Sequence, residues 1–140
     1  MSKSSTLQDI RVIDIPVVKD HRGNLAYIQN GVLPFEMKRV YYLFDVPSGA
    51  KRGGHAHYEQ YELLVALSGS FDVILEDGKE KKSFHLNRPH KGLLIPPGIW
   101  RELENFSSGS ICLVVNSGEF KEEDYMRDKN QFLNFKNLSR

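Results

Sequence analysis

The sequence has little of what several common protein classes require. It contains one cysteine in 140 residues, which excludes a disulfide framework. Nineteen basic residues balance eighteen acidic ones, so charge makes no case for nucleic acid or a membrane surface as a partner. No apolar run approaches the roughly 20 residues of a membrane span, and residues 1–5 (MSKSS) lack the apolar core of a signal peptide. These absences favour a soluble, cytoplasmic protein.

The sequence does contain many short strand-like runs separated by turn residues. Asp77-Gly78 between two alternating runs predicts a hairpin, and Phe71, Val73 and Leu75 share one face of their run. Many short strands without helical crossovers favour an all-β, antiparallel jelly roll or barrel. The strand-like runs lie at residues 10–15, 24–29, 37–44, 62–67, 70–75, 81–86, 92–95 and 111–116.

The C-terminal residues differ from the rest of the chain. Residues 122–135 open with acidic side chains and space Tyr125, Phe132 and Phe135 roughly as one helix face. We therefore expect a single domain, with a barrel over about residues 8–118 and a short helix over about residues 121–136.

Two histidines stand at an informative spacing. The motif G-x5-H-x-H-x4-E-x6-G at residues 49–69 resembles the first metal-binding motif of cupin proteins. The second cupin motif has a partial counterpart at residues 96–105, where Arg101 replaces the last histidine ligand. In an extended strand, His55 and His57 project to the same side. The resemblance implies a cupin-type barrel with a pocket lined by these side chains.

The chemistry of this pocket has two interpretations. His55, His57 and Glu62 could form a two-histidine, one-carboxylate metal site. However, the guanidinium of Arg101 cannot ligate a metal and would repel a divalent cation. Without a metal, the same pocket offers imidazoles that exchange protons near neutral pH. We expect acid–base chemistry with no metal and no other cofactor, and metal ligation is the alternative.

Further blocks make the resemblance more specific. Residues 38–44 (KRVYYLF), 52–57 (RGGHAH) and 100–102 (WRE) closely resemble nucleotide-linked sugar 3,4-ketoisomerases, which are cupins that act on dTDP-4-keto-6-deoxyglucose. The similarity extends over about residues 15–130. It implies a metal-independent homodimer, often with an exchanged N-terminal strand, that supplies precursors of 3-amino-3,6-dideoxy sugars for bacterial surface glycans such as the lipopolysaccharide O-antigen.

The reaction that this resemblance implies needs few groups. Moving a ketone from C4 to C3 requires loss of the C3 proton, an enediol, and protonation at C4. We expect His57 to be the base and His55 to protonate or orient the enediol oxygens. Tyr41 would donate a hydrogen bond to a sugar oxygen, and Glu62 would hold an imidazole charged or fix its tautomer. Residues 40, 42 and 44 share the opposite face of the Tyr41 strand and are predicted to be core.

A dTDP-linked substrate also needs groups that bind its diphosphate and its base. We expect Arg52 at the pocket mouth, because its planar fork suits phosphate oxygens. Arg39 and Arg22 are further candidates for this role. Trp100 is either a substrate contact beside Arg101 or a plug of the core.

Several alternatives stay open at this point. A metal-dependent cupin enzyme, a non-catalytic sugar-binding module and a nucleotide-sugar 3,5-epimerase would all use the same barrel. Within the resembling family, arginine at position 101 leans toward the gluco product and arginine at position 22 toward the galacto product. The configuration at C4 is therefore not predicted.

Overall fold

The computed structural model describes residues 2–137, and most of its regular structure is β-strand. Short 3-10 turns at Ser2–Ser4, Leu7–Asp9 and Glu122–Asp124 and helix α1 (Lys129–Lys136) accompany the strands. No helix within residues 2–137 is long and apolar enough to cross a membrane. The strands are β1 (Arg11–Asp14), β2 (Val17–Val18), β3 (Leu25–Ala26), β4 (Arg39–Leu43), β5 (Arg52–His57), β6 (Glu62–Ser68), β7 (Phe71–Glu76), β8 (Lys81–Leu86), β9 (Lys91–Ile95), β10 (Trp100–Glu104), β11 (Ile111–Asn116) and β12 (Tyr125–Met126).

The strands form two antiparallel five-stranded sheets. One sheet has the order β1-β9-β6-β11-β4, the other has the order β12-β5-β10-β7-β8, and β2 pairs with β3 alone. Buried side chains from both sheets, including Leu64, Phe71, Val73, Leu93 and Val114, form the main core between them. This arrangement confirms the antiparallel jelly roll predicted from the strand-like runs.

The β7–β8 hairpin forms as the sequence predicted. Phe71, Val73 and Leu75 are fully buried, whereas the residues between them are only partly buried. In the connecting loop, the Asp77 carboxylate accepts hydrogen bonds from the backbone of Lys79, at 2.9 Å, and from two other backbone N–H groups. Strict alternation along β7 therefore builds one wall of the core.

The outer face of β4 was predicted to be core, and this prediction is wrong for the single chain. Val40, Tyr42 and Phe44 are 57%, 60% and 60% exposed. The inward side chains are instead Tyr41 and Leu43, which pack against the main core. A second core cluster covers the outer face of this sheet at Leu63, Val65 and Val115, but it does not extend over Val40, Tyr42 and Phe44 at the sheet edge.

The C-terminal segment also departs from the prediction. Helix α1 begins at Lys129 rather than near residue 121, and Asp128 caps it by accepting a hydrogen bond from the backbone of Asn130. The preceding residues form a 3-10 turn and β12, which pairs with β5 so that Tyr125 lies opposite His57. The open edge of β5 offers these residues backbone partners, and this pairing replaces the start of the predicted helix.

Candidate active site

A β-bulge in β5 aims the site residues into the barrel. Arg101 pairs with His55 and Leu103 pairs with Arg52, so β5 uses one more residue than β10 over this interval. Gly53 has φ of 77°, and a Cβ there would lie 3.2 Å from Leu103 Cδ1. In a regular strand, residues three apart face opposite sides. Because of the bulge, Arg52 and His55 instead line the same cavity.

This cavity has a volume of about 300 Å³ and is lined by residues from both sheets. Strands β4, β5, β6, β10 and β11 supply its walls, and the segment after the last long strand closes one side. Of the residues predicted to form the site, Arg39, Tyr41, Arg52, His55, Glu62 and Arg101 line the cavity.

Glu62 is the centre of the polar network under the cavity. It is 1% exposed, and its Oε1 accepts a 2.6 Å hydrogen bond from Arg101 Nη1. Its Oε2 accepts hydrogen bonds from Asn116 Nδ2 at 2.9 Å and from the Tyr41 hydroxyl at 3.1 Å. Burial by itself would raise the pKa of Glu62, but Arg101 and the hydrogen bond from His57 hold that pKa well below its usual range. Glu62 is therefore a carboxylate.

His57 lies between two carboxylates and has no exposed surface. Its Nδ1 is 2.9 Å from Asp124 Oδ2, and its Nε2 is 3.2 Å from Glu62 Oε2. The ring of Tyr125 lies 4.5 Å away between centroids and covers it. His57 is thus held in one orientation, immediately beneath the residues that line the cavity.

His55 is the pocket-lining histidine, and its environment is different. Its ring is 5.0 Å from that of His57, and its buried Nε2 has no hydrogen-bond partner. Burial, with the nearby positive charge of Arg101, lowers the pKa of His55 to about 3. His55 is therefore a neutral imidazole at physiological pH.

Arginines surround the cavity. Arg39, Arg52 and Arg127 all line it, and Arg39 donates to Gln60 Oε1 at 3.2 Å. The Arg127 guanidinium lies 4.1 Å from the centre of the Tyr125 ring. Although Arg127 is paired with Glu122 at 2.6 Å, these cations give the cavity a local positive charge that the balanced composition of the whole chain does not reveal.

Two predicted site residues lie elsewhere. The side chain of Arg22 is 79% exposed and forms an ion pair with Asp20 at 2.6 Å, away from the residues that line the cavity. Trp100 points to the other face of β10, where it packs against Phe132 of α1 with ring centroids 5.8 Å apart. Of the two interpretations given for Trp100, a substrate contact or a plug of the core, this packing supports the plug of the core.

The residues of the cupin metal motif do not fit a metal ion in this chain. The ligand atoms of His55, His57 and Glu62 lie within 4.8 Å of one another, as a metal site requires. However, both oxygens of Glu62 already accept hydrogen bonds, one of them from the Arg101 guanidinium. A divalent cation at this position would face that fixed positive charge at close range.

Four further residues of the site were not predicted from the sequence. Asn116, Asp124, Tyr125 and Arg127 contact the histidines, contact Glu62 or line the cavity. Residues 123–127 (EDYMR) also resemble the ketoisomerase family, so the resemblance was the available signal. The role of these residues was missed because the segment was predicted to be a helix, and a helix directs side chains at a different spacing from a strand.

Comparisons with known proteins agree with this geometry. A family model described as "FdtA: WxcM-like, C-terminal" matches residues 8–137. The chain is 41% identical over 127 residues to the TDP-4-oxo-6-deoxy-alpha-D-glucose-3,4-oxoisomerase of Aneurinibacillus thermoaerophilus, which covers 90% of this chain and 89% of that protein.

Solved structures are similar over nearly the whole chain. A 3,4-ketoisomerase from Helicobacter canadensis has a TM-score of 0.89 and 40% identity, covering 92% of this chain and 98% of that one. A mutant of the 3,4-ketoisomerase QdtA from Thermoanaerobacterium thermosaccharolyticum, in complex with TDP-4-keto-6-deoxyglucose, has a TM-score of 0.89 and 33% identity. That similarity covers 91% of this chain and 94% of the other.

Proposed function

The chain belongs to the FdtA family of WxcM-like proteins and is a 3,4-ketoisomerase, and we propose that it acts on TDP-4-keto-6-deoxyglucose. Its product would be the corresponding TDP-linked 3-keto-6-deoxyhexose. The observation that carries the proposal is a pair of buried histidines at the base of an arginine-lined cavity. A relative with 33% identity is known in complex with the same sugar nucleotide.

The cavity suits a sugar ring with its diphosphate at the entrance. Its volume of about 300 Å³ lies at the lower end of the range for small-molecule sites, roughly 300–1,000 Å³. Arg39, Arg52 and Arg127 line it, and guanidinium groups pair well with phosphate oxygens. The hexose would then reach the histidines while the nucleoside stays near the surface.

His55 and Tyr41 are suited to stabilise the oxyanion of the enediolate. Neutral His55 lines the cavity and can donate one N–H hydrogen bond to that oxyanion. Burial and the adjacent Glu62 carboxylate raise the pKa of Tyr41, so its hydroxyl stays protonated; it donates to Glu62 in the free protein and would turn this proton to the substrate oxygen on binding. Donors aimed at a developing negative charge are among the largest contributions to catalysis.

We propose His57 as the base that takes the C3 proton, which requires entry of the sugar to expose its ring, since His57 has no exposed surface in the free protein. Its Nδ1 lies 2.9 Å from Asp124 Oδ2 and its Nε2 lies 3.2 Å from Glu62 Oε2, so either nitrogen can carry the proton of a neutral ring. When the sugar enters, the form of His57 protonated on Nδ1 would present Nε2 to the C3 proton in place of its 3.2 Å contact with Glu62.

Proton NMR of TDP-4-keto-6-deoxyglucose with the protein in deuterated water tests the function. We expect the C3 proton signal to disappear and deuterium to appear at C4 of a 3-keto product. The coupling pattern at C4 would also assign the gluco or galacto configuration. His57→Asn should abolish both exchanges, whereas His85→Asn, which changes a half-exposed histidine on β8, should leave them intact.

Other results of this experiment would identify the alternatives. Exchange at C3 and C5 would indicate a 3,5-epimerase. Binding of the nucleotide sugar without exchange would indicate a sugar-binding module. Activity that depends on about one equivalent of added metal would indicate a metal-dependent enzyme at His55, His57 and Glu62.

We also propose that the product supplies 3-amino-3,6-dideoxy sugars for bacterial surface glycans. A 3-keto group is the functional group that an aminotransferase converts to a 3-amino group. The prediction is that a sugar aminotransferase and an amino donor, added to the reaction, convert the product to an amine. An amino sugar with nitrogen at C4 would contradict it.

A homodimer is the assembly that the outer face of β4 favours. Val40 and Tyr42 on this strand and Phe44 directly after it form an exposed apolar row, and the separate β2–β3 hairpin exposes Val18 and Leu25. Exposed apolar patches of this kind are typical of interfaces. Light scattering after size exclusion should give twice the chain mass. Tyr42→Glu should shift it to the monomer, and the matched change Leu67→Glu at another exposed apolar position should not.

A further inference from the structure

Arg39 differs from the other two arginines that surround the cavity. Arg52 and Arg127 are exposed, and Arg127 is already paired with a carboxylate at 2.6 Å. Arg39 is half-buried, and its described hydrogen-bond partners are neutral, namely Gln60 Oε1 at 3.2 Å and the Tyr125 hydroxyl at 3.4 Å. A guanidinium that has lost part of its water without gaining a carboxylate keeps its full charge for an incoming anion.

The side chain of Gln60 is fixed where it meets Arg39. It is 6% exposed, and its Nε2 donates to the backbone carbonyl of Glu119 at 2.8 Å. Because a carbonyl oxygen can only accept, this contact assigns the orientation of the amide and turns Oε1 toward two donors, Arg39 Nη2 and Asn116 Nδ2. Gln60 therefore cannot rotate away from Arg39 without losing buried hydrogen bonds.

Packing holds the same two side chains in place. A Cβ at Gly118 would lie 2.9 Å from both Cδ and Nε2 of Gln60, so the glycine provides the space that the amide fills. The rings of Tyr41 and Phe120 lie 5.4 and 5.7 Å from the guanidinium carbon of Arg39. These rings attract the cation but do not neutralise it. Arg39 is thus held from several sides with its charge intact.

We propose that Gln60 is the positioning residue of Arg39, holding its guanidinium at the cavity for the diphosphate of the nucleotide sugar without cancelling its charge. This role rests on the proposed function, because the diphosphate belongs to the proposed substrate. A carboxylate in place of the amide would hold the guanidinium but neutralise it, and an aliphatic side chain would leave it free to move. A neutral acceptor combines a fixed orientation with an uncompensated charge, so less ordering is needed when the anion binds.

Titration of TDP into the protein tests the proposal, because TDP carries the diphosphate without the reacting sugar. Gln60→Met removes the acceptor, and Gln60→Glu keeps an acceptor but adds a negative charge. We expect each to raise the Kd of TDP roughly 10-fold, which is less than the loss of a whole charged hydrogen bond can cost. On an Arg39→Ala background, Gln60→Met should have no further effect, since it acts through Arg39. Gln131→Met, which removes the amide of an exposed glutamine in α1, should bind TDP as the wild type does.

Turnover separates positioning from a purely structural role. In Gln60→Met, KM for TDP-4-keto-6-deoxyglucose should rise while kcat does not fall with it, the pattern of a binding interaction shared by the ground state and the transition state. Wild-type affinity for TDP in Gln60→Met or Gln60→Glu would overturn the proposal, as would a further loss when Gln60→Met is combined with Arg39→Ala.

A second variant keeps the proposal testable if Gln60→Met does not fold. Gly118→Ala displaces the end of the Gln60 side chain without changing its chemistry, and it should also raise the Kd of TDP. Wild-type affinity in Gly118→Ala would then overturn the proposal. A wild-type protein that binds TDP without exchanging the C3 proton would instead refute the proposed function.

Discussion

The ion pair between Glu62 and Arg101 is the place where loss of one charge should destabilise the protein most. Both residues are 1% exposed, and their closest N–O distance is 2.6 Å. Glu62→Leu would leave the guanidinium buried with one remaining partner, the backbone carbonyl of Ile99 at 2.8 Å. Removing one partner of a buried pair costs about 3–5 kcal/mol, because the other charge is left uncompensated.

The isosteric change Glu62→Gln should cost less. Its carbonyl oxygen keeps the hydrogen bond from Arg101, but its amide nitrogen meets the donors of Asn116 and Tyr41. The Oδ1 of Asn116 has no partner, so rotation of that amide supplies an acceptor at the expense of its hydrogen bond to Gln60. We expect a loss of about 1–3 kcal/mol, the cost of leaving a buried hydrogen-bonding group unsatisfied.

A double-mutant cycle measured by urea unfolding checks this reasoning. Glu62→Leu combined with Arg101→Met should be more stable than the sum of the single losses predicts, by at least about 2 kcal/mol. Each 1 kcal/mol corresponds to about 3–5 °C in Tm for a domain of this size. Additive losses, or a Glu62→Leu variant within about 0.5 kcal/mol of the wild type, would refute the argument.

Three further predictions concern other residues of the site. The pKa of His55 is about 3 in the folded protein against an ordinary value of 6.5, so only the unfolded chain binds this proton between those values. The free energy of unfolding should therefore decrease as the pH is lowered through that range. Between about pH 7 and about pH 5, urea unfolding should show a decrease about 2 kcal/mol larger for the wild type than for His55→Asn. Equal slopes would contradict it. Gly53→Ala should cost about 1–2 kcal/mol in the same assay because of its positive φ, whereas Gly54→Ala should cost less because the added Cβ makes an ordinary 3.8 Å contact. Arg52→Ala should raise KM about 10-fold with kcat nearly unchanged, and exposed Arg88 provides the control; a fall in kcat alone would count against a diphosphate contact.

The sequence was most informative where local periodicity decides the structure. Alternation along β7 correctly predicted the buried row Phe71, Val73 and Leu75. The same reasoning placed His55 and His57 on one side of an extended strand, and in the structure their rings are 5.0 Å apart. The spacing of the histidine motif and the residue blocks 38–44, 52–57 and 100–102 were enough to indicate the family. These residues include the side chains that the barrel strands direct inward.

Periodicity gave wrong predictions where the burial or secondary structure of a segment depends on the elements packed beside it. The row Val40, Tyr42 and Phe44 is apolar and alternating like a core strand, but it lies on the uncovered face of an edge strand. Tyr125 is spaced as part of a helix face, yet it belongs to β12 because the edge of β5 was available for pairing. Sequence pattern reports the polarity of a face, and only the fold determines what covers it.

By itself, then, the sequence determined the antiparallel β architecture, the inward histidine pair and the replacement of a metal ligand by Arg101. The tertiary structure decided the rest. The bulge at Gly53 brought Arg52 and His55 into one cavity, and the C-terminal segment placed Asp124 on His57 across 67 residues. Local propensity extends over a few residues, whereas a bulge depends on strand register and a distant hydrogen bond on how the whole chain closes. No spacing rule in the sequence contains either of these.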